Sequence, residues 1–329
     1  MKIPQKSKIL YTSPRGIGDV MFSLPLLHSL RKAYPEATIY LPIPRDKVDA
    51  LGLVGFVQRT PRFMPKPSED TLARERWAAS ANGDTAEKYR LEKLIFDKYL
   101  AGESYDLALV PKNFRIDSIS CPEQINDEDL AKSCNAGFHM VDRFLGFARH
   151  LGIEEVLSFE LGFNLNDEIK LNSGWNISTQ EPYIVLNLGA SLDKKTWPVE
   201  GYSDTAKWCT KNGLRVILVG DKECFDSSLD IQKDNKGIFN SVLRDGYSLN
   251  LENYGRLAAQ STAVVGVDSG LLHLADATGT KVIGLYGPTS PERFGPYNNR
   301  GNVVSRHSLD QNVKNISSSE VTKKLEDVL

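Results

Sequence analysis

Cysteine is scarce. Cys121, Cys134, Cys209 and Cys224 are the four in 329 residues, and no two stand in a Cys-x-x-Cys spacing. That argues against the usual zinc frameworks, and scattered thiols fit a reducing, cytoplasmic compartment. Charge of one sign is also lacking. Forty basic side chains stand against forty-two acidic ones, for a net charge of −2, so the basic footprint of a general nucleic-acid binder is missing. No apolar run reaches the ~20 residues of a membrane span. The opening stretch MKIPQKSKILYTSPRG is interrupted by Pro, Arg and Gly and reads as a first strand, not a leader. Of five histidines, only His273 stands among Gly, Asp and Ser.

What is present falls into two halves. In the first, KILYTS (8–13) reads as a strand, PRGIGD (14–19) as a tight turn, and the next stretch as a helix with Val20, Leu24, Leu27 and Leu30 at helical spacing. Pro35 ends that helix and ATIYLPI follows as a strand. This βαβ rhythm implies a parallel sheet covered by helices. Residues 61–103 interrupt it with a Pro-rich stretch and two charged helices separated by Asn82-Gly83, read as an insertion or flap. YDLALV (105–110) resumes the sheet, and a helix ends at Gly152. Polar, aperiodic sequence over 161–181 marks the boundary, giving expected domains 1–170 and 171–329. The second half repeats the plan, with strands at 183–188, 215–220, 263–267 and 281–287 alternating with helices. The expected class is α/β: two Rossmann-like doubly wound domains facing a cleft, with ligands at the carboxyl ends of the strands.

Four loops follow predicted strands. In PRGIGD, glycines permit the turn, and Asp19 opens a helix. It either caps that helix or takes a proton from an attacking hydroxyl. GASLDKKTWP (189–198) brings Gly189, Ser191, Lys194 and Lys195 past a strand. The lysines are either a solvated pair or fixed cations for phosphate. In VGDKE (219–223), Glu223 either occupies an acidic first turn or bonds ribose hydroxyls. The longest stretch, 264–297, sets Asp268, Ser269 and Gly270 at a helix N-terminus suited to an anion. His273 lies one turn on, facing the same way. A buried structural histidine is the alternative, but the crowding of Gly, Asp and Ser in that turn favours function. Gly287-Pro288-Thr289 follows the last strand at the same edge.

Together, Gly18-Asp19, Lys195-Thr196-Trp197-Pro198, Asp268-Ser269-Gly270-Leu271-Leu272-His273 and Gly287-Pro288-Thr289 resemble the ADP-heptose lipopolysaccharide heptosyltransferase family. This is glycosyltransferase family nine, of two-domain GT-B fold, and order and spacing agree across most of the chain. The resemblance implies inverting, metal-independent transfer of a sugar, heptose from ADP-heptose, onto a saccharide acceptor such as a lipopolysaccharide core. It implies no cofactor beyond the nucleotide-sugar donor. Asp19 would be the general base, and Lys195 would steady the departing diphosphate. Gly189, Ser191, Lys195, Asp268, Ser269, Gly270, His273, Gly287 and Thr289 would hold the donor, with Glu223 at the ribose. Gly18, Arg15, Lys112 and Arg115 would meet the acceptor. PKNFR (111–115) and the large insertion depart from the family pattern, so divergence concentrates in the acceptor half. The implied partners are a nucleotide sugar and a glycan, not nucleic acid. A lipid-linked acceptor would bring the enzyme to the inner face of the cytoplasmic membrane, although no strong basic amphipathic helix argues for that. The sequence leaves the oligomeric state open. Two other readings stand beside this one. A GT-B epimerase or hydrolase would need further carboxylates that the sequence does not identify. A non-catalytic nucleotide-sugar-binding scaffold has the presence of Asp19 against it.

Overall fold

The computed structural model describes residues 3–12, 16–43, 49–61, 64–65, 68–112, 114–133, 138–169, 181–189, 193–233, 235, 237–244 and 249–329. Arg15 and Ser191, both expected at the site, lie outside the described residues, as do residues 170–180 of the expected boundary. The chain forms two compact units, Met1–Gly162 and Phe163–Leu329. The packing on either side explains where they part. The Gly162 amide donates to the Leu53 carbonyl at 2.8 Å, while Phe163 lies under the Arg256 guanidinium at 5.2 Å.

The first unit runs β1 (Lys8–Tyr11), α1 (Ile17–Ala33), β2 (Thr38–Leu41), α2 (Asp49–Gly52), β3 (Val57–Arg59), α3 (Thr71–Ala81), α4 (Thr85–Tyr99), β4 (Leu107–Val110), β5 (Gln124–Asn126), α5 (Asp127–Ser133) and α6 (Met140–Leu151). Among the described residues its sheet is parallel, in the order β3-β2-β1-β4-β5. The second unit runs β6 (Tyr183–Asn187), α7 (Val199–Lys211), β7 (Arg215–Val219), α8 (Phe225–Lys233), β8 (Ile238–Asn240), α9 (Leu251–Ala259), β9 (Ala263–Val267), α10 (Gly270–Ala277), β10 (Val282–Tyr286), α11 (Pro291–Phe294), β11 (Val303–Ser305) and α12 (Ser318–Val328). Its parallel strands are ordered β11-β10-β9-β6-β7-β8. The apolar runs expected of doubly covered parallel strands are there: β6, β9 and β10 are buried at every residue.

Both orders are doubly wound, and each reverses direction at one place: between β1 and β4 in the first unit, between β6 and β9 in the second. Such switch points splay the loops at the carboxyl ends and open a crevice there. Three of the four loops singled out by sequence follow a switch-point strand, β1, β6 or β9.

The charged helical pair is no loose flap. Asp70 and Asp84 cap α3 and α4 by accepting from Ala73 N–H at 3.2 Å and Glu87 N–H at 3.0 Å. Gly83 turns the chain between them at φ +77°. Ala73, Ile95, Phe96 and Leu100 then share one core cluster with Leu10, Ala108 and Val110 of the sheet. The hairpin therefore covers one face of the first sheet. The turn expected at PRGIGD is also shorter than anticipated. The helix begins at Ile17, so Gly18 and Asp19 lie in its first turn.

Candidate active site

In the second unit, the loop after β6 and the loop after β9 meet through an ion pair. Lys195 Nζ donates to Asp268 Oδ2 at 2.5 Å. Thr289 Oγ1, arriving after β10, donates to the same oxygen at 2.7 Å. His273 Nε2 lies 3.2 Å from Asp268 Oδ1. The loops after the two switch-point strands, the loop after β10 and one helix thus converge on a carboxylate that is nearly buried. Burial alone would raise the Asp268 carboxyl. The hydrogen bond and charge of His273 and the charge of Lys195 outweigh it and hold the group well below the usual carboxylate range.

The local sequence explains why Lys195 is held there. Trp197 is buried, donates from Nε1 to the Ile316 carbonyl at 2.8 Å and meets Tyr202 edge-on with ring centroids 4.9 Å apart. Gly201 has no side chain because a Cβ would lie 2.5 Å from the indole. Pro198 then opens α7. The Trp-Pro pair is an anchor that fixes the lysine two residues upstream. Lys194 beside it is exposed, so of the pair it is Lys195 that enters the site. At the other end of the loop Gly189 adopts φ +73°, with the Cys224 thiol 2.5 Å from where a Cβ would stand.

Ser269 caps α10, its Oγ accepting from Leu272 N–H at 3.5 Å. The leading amides of α10 therefore point out of the helix beside Asp268 and Lys195, an arrangement that favours an anion. Asp276, one turn beyond His273, is buried and accepts from Asn299 Nδ2 at 2.8 Å and Asn298 N–H at 3.1 Å. It ties the loop after α11 to the same helix; sequence reasoning missed it. Gly287 has a packing reason of its own, since a Cβ there would lie 2.5 Å from the Val313 amide nitrogen. Glu223 is exposed, its N–H donating to Asp221 Oδ1 at 3.2 Å in a single helical turn.

In the first unit, Asp19 stands in the first turn of α1, the helix that follows β1, a strand paired with β4. The residue before the helix is Gly16, with no side-chain cap. The acidic side chain in that turn is favoured by the helix dipole. Ser23 Oγ donates to the Asp19 carbonyl at 2.6 Å and lies 2.9 Å from Tyr11 Oη, which ties the turn to β1. Around Asp19 gather cations that sequence reasoning found only in part. Burial pulls the Lys88 ammonium pKa down, the charges of Arg76 and Lys112 lower it further, and Asp19 opposes them. Burial likewise lowers Lys112, against the charges of Asp19 and Asp127 and with those of Arg76 and Arg143. Lys88 and Arg76 come from the hairpin α3–α4, whose helices pack on each other through an Arg76–Glu92 ion pair at 3.7 Å. Their signal in the sequence was only a charged insertion. Arg115 turns elsewhere: its guanidinium donates to the Gln124 carbonyl and pairs with Asp129 at 3.2 Å. Among the described residues no group of three or more His, Cys, Asp or Glu is arranged to hold a metal ion, and no helix is long and apolar enough to cross a membrane.

The pattern of glycosyltransferase family 9 (heptosyltransferase) matches residues 128–324. Lipopolysaccharide heptosyltransferase 2 of Salmonella typhimurium is 24% identical over 323 residues, covering 90% of this chain and 87% of that protein. Among solved structures, the Escherichia coli heptosyltransferase WaaC with ADP superposes with a TM-score of 0.66 at 20% identity, covering 98% of this chain and all (100%) of that one. The E. coli ADP-heptose lps heptosyltransferase II gives 0.65 at 21% identity, with 98% of each chain covered. Two doubly wound units, with strand orders that each reverse at one switch point, and the likeness to these structures give the chain the GT-B fold, and the matching family pattern makes it a glycosyltransferase. Within that class the chain belongs to glycosyltransferase family 9, the heptosyltransferases.

Proposed function

We propose that the protein transfers a heptose from ADP-heptose to an acidic saccharide acceptor, a lipopolysaccharide core or a related glycan, with inversion and without a metal ion. The observation that carries this reading is the convergence of Lys195, Asp268, Thr289 and His273 at the head of α10. A diphosphate laid on the α10 amides would meet Lys195, while Asp268, already neutralised by its neighbours, would not repel it. The names of the relatives, heptosyltransferases found with ADP or named for ADP-heptose, support the donor. The cations around Asp19 support an anionic acceptor.

In this mechanism Asp19 accepts the proton of the acceptor hydroxyl as its oxygen bonds to the anomeric carbon. The bond from that carbon to the diphosphate oxygen breaks on the opposite face. The nucleoside diphosphate leaves with the bonding pair, and Lys195 and the α10 amides stabilise the charge that develops on it. The reaction would take place in the cytoplasm, at the inner membrane face if the acceptor is lipid-linked.

Calorimetric titration with ADP, UDP and GDP, with and without Asp19→Ala, tests the reading. The expected outcome is preference for ADP, kept by the Asp19→Ala protein while its transfer activity is abolished. Preference for another diphosphate would discard the heptose donor. Near-normal transfer by Asp19→Ala would remove it as the base.

A further inference from the structure

Asp268 is shared by two nitrogen donors through different oxygens. Lys195 Nζ donates to Oδ2 at 2.5 Å, beside the Thr289 hydroxyl at 2.7 Å. His273 Nε2 lies 3.2 Å from Oδ1. An ionised carboxylate can only accept, so that nitrogen carries a proton in either charge state of the ring. The two donors differ in access. Lys195 has 19% of its side chain open to solvent, Asp268 10% and His273 5%. Lys195 rides a flexible stem on a loop, whereas His273 is built into α10, its N–H donating to the Ser269 carbonyl at 3.3 Å. Lys195 is therefore the partner able to turn to an arriving anion, and His273 the one that stays with the carboxylate.

One ammonium cannot fully balance two anions. Once Lys195 is drawn to a diphosphate, a nearly buried carboxylate is left facing added negative charge, which is costly unless another cation takes over. The titratable groups around it narrow the choice. Asp276 follows His273 by one turn; burial raises its carboxyl, against the bonds from Asn299 and Asn298 and the charge of His273. Tyr286 comes from β10. Burial, then the charges of Asp268 and Asp276, push its hydroxyl up, so it stays neutral and donates to the Phe294 carbonyl at 2.9 Å. Histidine alone among these residue types gains a positive charge near neutral pH. We infer that His273 is the proton-linked counter-ion of donor binding: when Lys195 leaves Asp268 for the diphosphate, His273 takes up a proton and holds the carboxylate as an imidazolium. This rests on the proposed diphosphate site at the head of α10. The proton comes from solvent, bonds to the Nδ1 lone pair and returns to solvent when the nucleoside diphosphate departs, so it balances over one turnover. Donor affinity then weakens with rising pH, by up to about tenfold per pH unit where a whole proton is taken up.

Calorimetry with ADP-glucose reads the proton and needs no acceptor. This probe lacks a terminal phosphate, a group that titrates near pH 6 or so (about 6) and would obscure the count. Titrations at about pH 7.5 in PIPES and in Tris differ in enthalpy in proportion to the protons drawn from the buffer. Uptake of about half to one proton is expected for the unaltered protein. Almost none is expected for His273→Gln, which keeps a neutral donor to Asp268. Equal enthalpies in the two buffers for the unaltered protein, or uptake that survives His273→Gln, overturn the inference. A histidine NMR titration of the ligand-free protein decides independently. With Lys195→Met the His273 midpoint should move up by about one pH unit, because the imidazolium then has Asp268 to itself; an unmoved midpoint overturns the inference. Failure of ADP-glucose to bind would count against the proposed donor site, while the ligand-free titration still tests the counter-ion, so the two failures are distinguishable.

Discussion

The two switch points handle charge in opposite ways. In the second unit Asp268 is paired from three sides, by Lys195, Thr289 and His273, and the carboxylate gains from all of them. In the first, Arg76, Lys88, Lys112 and Arg143 crowd near Asp19 and Asp127, and like charges lower the lysines. The paired site already satisfies its carboxylate, which fits the proposed role of receiving a diphosphate with fixed donors. In the crowded site burial and neighbouring cations both disfavour the charged lysines, which fits the proposed anionic acceptor. Stability and function should therefore respond in opposite directions to substitutions in the two places.

The largest effect is expected at Asp268. Asp268→Ala strands Lys195 and His273 and should cost about 3–5 kcal/mol, the range for removing one partner of a buried pair, read by urea unfolding. Because the folded carboxyl lies below its ordinary value, its contribution is present above the unfolded pKa of about 3.9 and is lost as pH falls toward the folded value. The deficit of Asp268→Ala should then shrink on acidification. A loss under 1 kcal/mol with no pH dependence would dissolve the contrast between the units.

Next comes Lys195→Met. Asp268 then faces the donor phosphates without its cation, so nucleotide affinity should weaken and turnover fall by about 10²–10³, the usual loss for a donor to developing charge. Calorimetry and initial rates read the two separately. Unchanged affinity and rate would take Lys195 out of the site.

A smaller effect is expected at Gly189, where two causes can be separated. Gly189→Ala forces a side chain into φ +73° and against the Cys224 thiol, with a loss of about 1–3 kcal/mol. In the Cys224→Ala background the steric part should vanish and the backbone part remain, a coupling that a double-mutant cycle measures. Purely additive losses would mean that the loop moves aside.

The second unit was the more legible because its site is written in local motifs. Asp268 to His273 is one helix start, and Lys195 to Pro198 one anchored turn, so short motifs pointed to loops at one edge of the sheet, where the structure brings Lys195 and His273 onto Asp268. The strand β9 was read at its observed ends, Ala263–Val267. What spacing did not show was the pairing among loops, since Thr289 reaches Asp268 only through the sheet order. In the first unit Asp19 was legible, but its surroundings were not. Arg76 and Lys88 lie more than fifty residues downstream, on helices that read as a charged insertion, and only the burial of Ile95 and Phe96 against the sheet brings them near. Arg115 shows the converse, a suggestive cation in a suggestive loop that turns to Asp129. Short strands such as β3, β5 and β8 carried too few apolar residues to be read at all.

The smallest effect is the sharpest test of the contrast. Lys88 is held below its ordinary pKa by burial and then by Arg76 and Lys112. At neutral pH its charge therefore opposes folding, and the opposition fades as pH rises through its folded value toward the unfolded one. Lys88→Met should be neutral or stabilising, within about 0.5 kcal/mol, and this small gain should disappear in alkaline buffer. The same substitution removes one of the cations acting near Asp19, so on the proposed reading the KM for an anionic acceptor should rise while ADP affinity stays as it was. Stability gained and acceptor binding lost from one substitution would mark the hairpin as a place where folding is compromised for substrate. Loss of both together would mean that Lys88 is an ordinary structural residue, and that the cost of crowded charge in the first unit lies elsewhere.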